Sequence, residues 1–152
     1  MKTLQLNYSK AVNFDQTMTL MKRIISFSDK RLAAFIANSF REIFSYLSID
    51  TEILMSSDIP KDNSLRGKDK ILQICEILGA DTYYNAIGGQ NLYDKKEFSE
   101  HGIVLNFVDT IPKVYSQLRT KEFVPYLSMI DVLMNNTKDE VNDLLDSFCV
   151  RY

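Results

Sequence analysis

Histidine occurs once and cysteine twice in this 152-residue chain. With His101 alone, no imidazole cluster can hold a metal, and Cys75 and Cys149 form no metal-binding or redox motif. No metal and no cofactor are therefore expected. No apolar run approaches the ~18 residues that span a bilayer. The opening MKTLQLNYSKAVNF lacks the apolar centre of an export signal. The expectation is a cytoplasmic protein with no membrane span. Neither sign of charge is in excess: 18 basic and 20 acidic residues leave a net −2, so no nucleic-acid surface is expected. Internal repeats, low-complexity tracts and linkers are also missing.

What remains is ordinary globular composition, 45% hydrophobic and 25% charged. The length suffices for one domain with a core, and a single domain over 1–152 is the reading. Residues 1–15 show no clear period. Residues 16–27 place Thr17, Leu20, Met21, Ile24 and Ile25 on one helical face. From Asp29, Leu32, Phe35, Ile36, Phe40, Ile43, Phe44 and Leu47 repeat at helical spacing, with Ser28 or Asp29 available as a cap.

Thr51 to Asp94 then carries the grammar of a βαβ unit. Ile53–Met55 reads as a short buried strand. A helix follows with Ile71, Ile74, Cys75 and Leu78 on one face, and Gly79 is placed for a left-handed cap. The helical spacing also predicts a buried Cys75 thiol. Residues 82–86 and 103–108 read as further strands, with a short helical turn at 94–100 between them. Residues 109–122 read as an irregular, flexible loop. Pro125 precedes a helix bearing Leu127, Ile130, Leu133 and Met134. Thr137 and Glu140 match a capping box, and Val141, Leu144, Leu145 and Phe148 continue as a last helix. The expected fold is α/β: a small, mostly parallel sheet of three to four strands with flanking helices, in a Rossmann-like three-layer arrangement.

Ligands of such units sit beyond the carboxyl ends of the strands. Gly88 and Gly89 offer backbone N–H groups that could cradle an anion, or form a tight turn needing positive φ. Ser56, Ser57 and Asp58 could bind a phosphate or a sugar hydroxyl, or form a turn or helix cap. Arg66 or Lys68 could neutralise a phosphate, or belong to a solvated face. Ser128 and Asp131 stand three apart at a helix start. Asp131 interrupts an apolar segment, and a carboxylate near a core needs a partner; Ser128 also suits a cap. His101, in a turn before a strand, reads as a surface residue, and no Ser-His-Asp triad is legible.

The ordered segments 49–59 (IDTEILMSSDI), 66–75 (RGKDKILQIC), 78–94 (LGADTYYNAIGGQNLYD), 101–108 (HGIVLNFV) and 122–136 (EFVPYLSMIDVLMNN) resemble the WbqC-like protein family over roughly 30–147. Residues 4–11 (LQLNYSKA) resemble the helix end that precedes this region in the family. The resemblance implies a bacterial protein of O-antigen, or other surface-polysaccharide and lipopolysaccharide, biosynthesis. The implied role is a transferase placing glycine, or a similar aminoacyl group, on a nucleotide-linked amino sugar. Carried over by position, the motif residues are Ser56, Ser57, Asp58, Gly67, Gly88, Gly89, Leu92, Tyr93, Pro125, Ser128 and Asp131. Ser56, Ser57, Asp58, Gly88, Gly89 and Tyr93 are then expected to bind substrate, with Tyr93 stacking on, or hydrogen-bonding to, a sugar or base. Ser128 and Asp131 are the expected catalytic residues, Asp131 orienting or deprotonating an amine.

The chain departs from the family in lacking its opening strand, its Gln-Pro…Pro…Gly-Tyr motif and its Arg- and Asn-rich segment. A shortened, non-catalytic member or interaction module is therefore the alternative. Dimerisation or marginal stability would be expected of such a chain.

Overall fold

A computed structural model describes residues 1–151. In chain order the elements are α1 (Lys2–Tyr8), α2 (Phe14–Ile25), α3 (Leu32–Leu47), α4 (Gly67–Leu78), β1 (Thr82–Ala86), a 3-10 helix (Ile87–Leu92), α5 (Lys95–Glu100), β2 (Val104–Thr110), α6 (Met129–Asn135), α7 (Lys138–Leu145) and β3 (Phe148–Arg151). They form two compact units. The first comprises Met1–Ile53 and Pro112–Ser147; the second comprises Leu54–Ile111 and the segment from Phe148 onward.

The first unit is helical. The apolar stripe of α2 supplies Leu20, Met21 and Ile24. Leu47 of α3, Leu133 of α6 and Val141 of α7 close the cluster around them. Polar side chains pin the same elements. Asn13 and Thr17, both buried, donate to the Leu133 carbonyl at 3.0 and 2.8 Å, and Asn13 also donates to the Tyr46 hydroxyl. Every such bond satisfies a group that would be costly to bury alone. α7 starts with the expected capping box: Thr137 Oγ1 accepts from the Glu140 N–H, and Glu140 accepts from the Thr137 N–H. The N-cap of α3 is Arg31 rather than Ser28 or Asp29. Asp29 instead accepts from the Arg31 N–H at 2.9 Å, fixing the turn before the helix.

The second unit is built on a three-stranded sheet in the order β1-β2-β3. β1 and β2 run parallel, with Tyr83 opposite Leu105 and Asn85 opposite Phe107. Leu105 and Phe107 share one face and pack with Leu72 and Cys75 of α4 and Phe98 of α5. Gly79 ends α4 at φ +63, as its position requires. Cys75 is buried as its spacing predicts.

Three expectations are corrected. Ile53–Met55 forms no strand: a three-residue apolar run is too short to identify a sheet partner. Phe148 does not extend the last helix, because Asp146 caps it and Phe148 pairs with Thr110 as the start of β3. β3 runs antiparallel to β2, so the sheet is mixed rather than mostly parallel. Residues 2–8, which show no clear period, form α1, in keeping with the helix end that residues 4–11 resemble. What stands of the expected fold is an α/β protein with a small open mixed sheet and flanking helices.

Candidate functional site

Asp131 lies in the first turn of α6, only 6% exposed. Its side chain collects four donors. Oδ1 accepts from the Tyr8 hydroxyl at 2.8 Å and from Asn135 Nδ2 at 3.1 Å. Oδ2 accepts from the Tyr115 hydroxyl at 2.8 Å and from Gln117 Nε2 at 3.3 Å. A carboxylate has room for about four such bonds, so this one is saturated from within the first unit. The expectation that Asp131 needs a partner is met four times over.

The network has electrostatic consequences. Burial, followed by the hydrogen bond and charge of Asp131, pushes the Tyr8 phenol up to about 12. Tyr115 is also raised, first by burial, with Gln117 acting against the shift and Asp131 adding to it. Both phenols therefore stay protonated, and donating, through the neutral range.

The same bonds fasten the irregular segment that runs from Pro112 to Ser128. Gln117 closes it on itself through the Val124 N–H and carbonyl, at 2.8 and 2.9 Å. The Leu118 N–H donates to Asn135 Oδ1 at 3.1 Å. Ser128 Oγ accepts from the Ile130 N–H at 3.2 Å, which makes Ser128 the N-cap of α6, as one of its two readings expected.

Two clefts flank this strap. One, of about 220 Å³, is lined by Lys113, Val114, Tyr115, Ser116, Asn135, Asn136, Glu140, Asp143 and Leu144. The other, of about 430 Å³, is lined by Lys10, Ala11, Val12, Ser116, Gln117, Leu118, Arg119, Asn135, Thr137 and Glu140. They share Ser116, Asn135 and Glu140. Glu140 is held below the usual carboxylate range by the Thr137 N–H and hydroxyl, so it is a weak base. Sequence reasoning missed both clefts. Their cations and carboxylates come from the start of the chain, the irregular strap and α7, and no local motif ties these together.

The remaining candidates lie in the second unit. Ser56, Ser57 and Asp58 form an exposed turn, with the Ser57 hydroxyl donating to Asp58 at 3.1 Å. Tyr93 is half-buried. Its ring stands edge-on to Tyr83 and Phe98, with centroids 6.0 and 5.8 Å away. Arg66 precedes α4 as its N-cap, and Lys68 is paired with Glu97. His101 is exposed and paired with Glu76 at 2.6 Å.

Gly88 and Gly89 sit in the 3-10 helix, and neither has positive φ. The glycine requirement is one of space, and only at Gly89. A Cβ there would lie 2.4 Å from Asn85 Nδ2 and 3.2 Å from its Cγ, whereas one at Gly88 meets nothing within 4 Å. Asn85 cannot retreat freely, because its Oδ1 holds the Ala86 N–H at 2.8 Å. Gly89→Ala is thus expected to cost about 1–3 kcal/mol and Gly88→Ala no more than about 0.5 kcal/mol. Urea melts of the two variants measure the difference; equal midpoints would remove the packing explanation.

Among the described residues no group of three or more His, Cys, Asp and Glu side chains could hold a metal ion. No helix there is long and apolar enough to cross a membrane. These features define an α/β protein whose helical unit carries a saturated buried carboxylate and two clefts with charged side chains on their walls. The chain belongs to the WbqC-like protein family, whose model matches residues 1–143. That span reaches Met1, further toward the start than the motif segments alone. No curated protein and no solved structure matches it.

Proposed function

We propose that the chain serves surface-polysaccharide assembly by transferring glycine, or a similar aminoacyl group, to a nucleotide-linked amino sugar. The observation that carries this reading is the family match over residues 1–143, with the role the family motifs imply. The chemistry of the two clefts suits such a substrate. Lys10 and Arg119 on one side complement phosphate. Asp143 of the smaller cleft, with Glu140 shared by both, complements a sugar's amine and hydroxyls.

In the transfer, the sugar nitrogen bonds to the carbonyl carbon of an activated aminoacyl donor. The bond to the donor's leaving group breaks, and the proton released from the nitrogen passes to that departing group. Asp131 acts here as a positioning residue: its oxygens are taken by internal donors, and it sets Tyr115 at the wall of the smaller cleft. Ser128 contributes by starting α6. Ser56, Ser57, Asp58, Gly88, Gly89 and Tyr93 stay assigned to substrate binding on the family motif alone.

The test is a thermal-shift screen against nucleotides, nucleotide-linked amino sugars, free amino sugars and glycine. A ligand at a hundred times its Kd adds about 2.7 kcal/mol to stability. The expected result is an upward shift with a nucleotide-linked amino sugar, larger than with the free sugar. Cooperative melting with no shift from any nucleotide-linked sugar would overturn the reading.

A further inference from the structure

We propose that Lys10 and Arg119 form the seat for the diphosphate of the nucleotide-linked substrate, an inference that rests on the substrate class proposed above. Three observations converge on it. First, both cations line the same cleft of about 430 Å³. Second, neither has a carboxylate partner among the described residues, and Lys10 makes no hydrogen bond there at all. Against these two cations the cleft carries one carboxylate, Glu140, itself bonded by Thr137, so the lining keeps a net positive charge that a bound anion offsets.

Third, Arg119 is only partly used. Its guanidinium donates to the Leu6 carbonyl at 2.9 Å and weakly to Asn7 Oδ1 at 3.5 Å. A guanidinium carries about five N–H donors, so most of its fork stays available to phosphate oxygens. Arg119 also holds φ +66, a left-handed conformation that strains a residue bearing a Cβ and not glycine. Ser116, whose hydroxyl has no partner among the described residues, lies on the same wall and adds a neutral donor.

A purely structural role for Arg119 would be to cap the last carbonyls of α1 through Leu6. Stability and affinity separate the two roles. Isothermal titration at low ionic strength, with inorganic pyrophosphate and with nucleotide-linked amino sugars, is run on the full chain and on Lys10→Gln and Arg119→Gly. Lys10→Gln touches no internal bond, and Arg119→Gly relieves the positive φ, so both variants are expected to melt within a few degrees of the parent. Each is expected to weaken pyrophosphate binding roughly tenfold or more, the loss of one charge-assisted contact. Parent affinity should fall steeply with added salt.

A parent chain that binds no pyrophosphate overturns the seat, as does undiminished binding by both variants. If a nucleotide-linked sugar binds parent and variants alike, the seat fails and the substrate class stands. If pyrophosphate binds and is lost in both variants, but no nucleotide-linked sugar binds more tightly than pyrophosphate, the seat stands and the substrate class fails.

Discussion

Asp131→Asn is expected to lower stability by about 2–3 kcal/mol, the scale of hydrogen bonds to a charged group in a buried site. The substitution is nearly isosteric, so the cost comes from hydrogen bonding rather than volume. Each oxygen of Asp131 faces one hydroxyl and one amide NH2: Tyr8 with Asn135 on one side, Tyr115 with Gln117 on the other. The hydroxyls can turn and accept, but the amide groups of Asn135 and Gln117 are held by their own bonds. Asn135 Nδ2 also donates to the Asp131 carbonyl, and Gln117 Oε1 accepts from the Val124 N–H. An asparagine NH2 therefore meets another NH2 whichever way it flips.

The effect reaches the tyrosines. Tyr8 rises from its ordinary 10.0 to about 12 in the folded chain. The folded state thus holds that proton more tightly than the unfolded state. The associated stability is complete below about pH 10 and disappears as pH climbs through about 12. Asp131→Asn removes the hydrogen bond and charge that rank behind burial as causes, so Tyr8 should ionise at lower pH, with burial still holding it above 10. Urea melts give the stability change, and phenolate absorbance along an alkaline titration gives the ionisation. A loss below about 0.5 kcal/mol, with unshifted phenolate titration, would mean that the carboxylate does not organise the strap.

How much of this could be read from the chain follows how local each signal is. β1 was legible to the residue, because TYYNA between two turn signals has few other readings. The Gly79 cap and the Thr137–Glu140 box were legible because each is complete within a few residues. β3 was not. Phe148 lies one helical step beyond Leu144 and Leu145, and only its pairing with Thr110, far back in sequence, decides that it is extended. The same distance hid the Asp131 network. The sequence shows an acid in an apolar run, and with it the need for a partner. Of the four donors, however, only Asn135 stands at helical spacing; Tyr8 is 123 residues away. The glycine pair was legible as a special position, though the positive φ of its turn reading is absent and only Gly89 is constrained. The cause was not, because the contact with Asn85 depends on how the 3-10 helix folds back on the strand end.

The second large effect belongs to the other unit, where Phe98→Ala is expected to cost about 3–5 kcal/mol. Phe98 is completely buried, and α5 exists to deliver it. Asp94 caps that six-residue helix by accepting from the Lys96 and Glu97 N–H groups. A helix this short has little stability of its own, so its one buried side chain must hold it to the sheet. The ring lies nearly parallel to Tyr83, with centroids 5.6 Å apart, and meets Tyr93 edge-on. Truncation leaves a cavity beneath both tyrosines, and the loss should spread to the Tyr83 hydroxyl. Burial, ahead of its interaction with Tyr93, pushes Tyr83 up to about 12. Opening the cavity to water should bring that value down. Phe98→Leu, which keeps much of the volume, should cost less than half as much and leave Tyr83 nearly where it is. Denaturant midpoints of the two variants, read beside their phenolate titrations, test the assignment. Equal midpoints for Phe98→Ala and Phe98→Leu would show that the aromatic cluster does not anchor α5. In that case the half-buried Tyr93 would lose the support that fixes its ring, and with it the rigid placement that its proposed substrate-binding role requires.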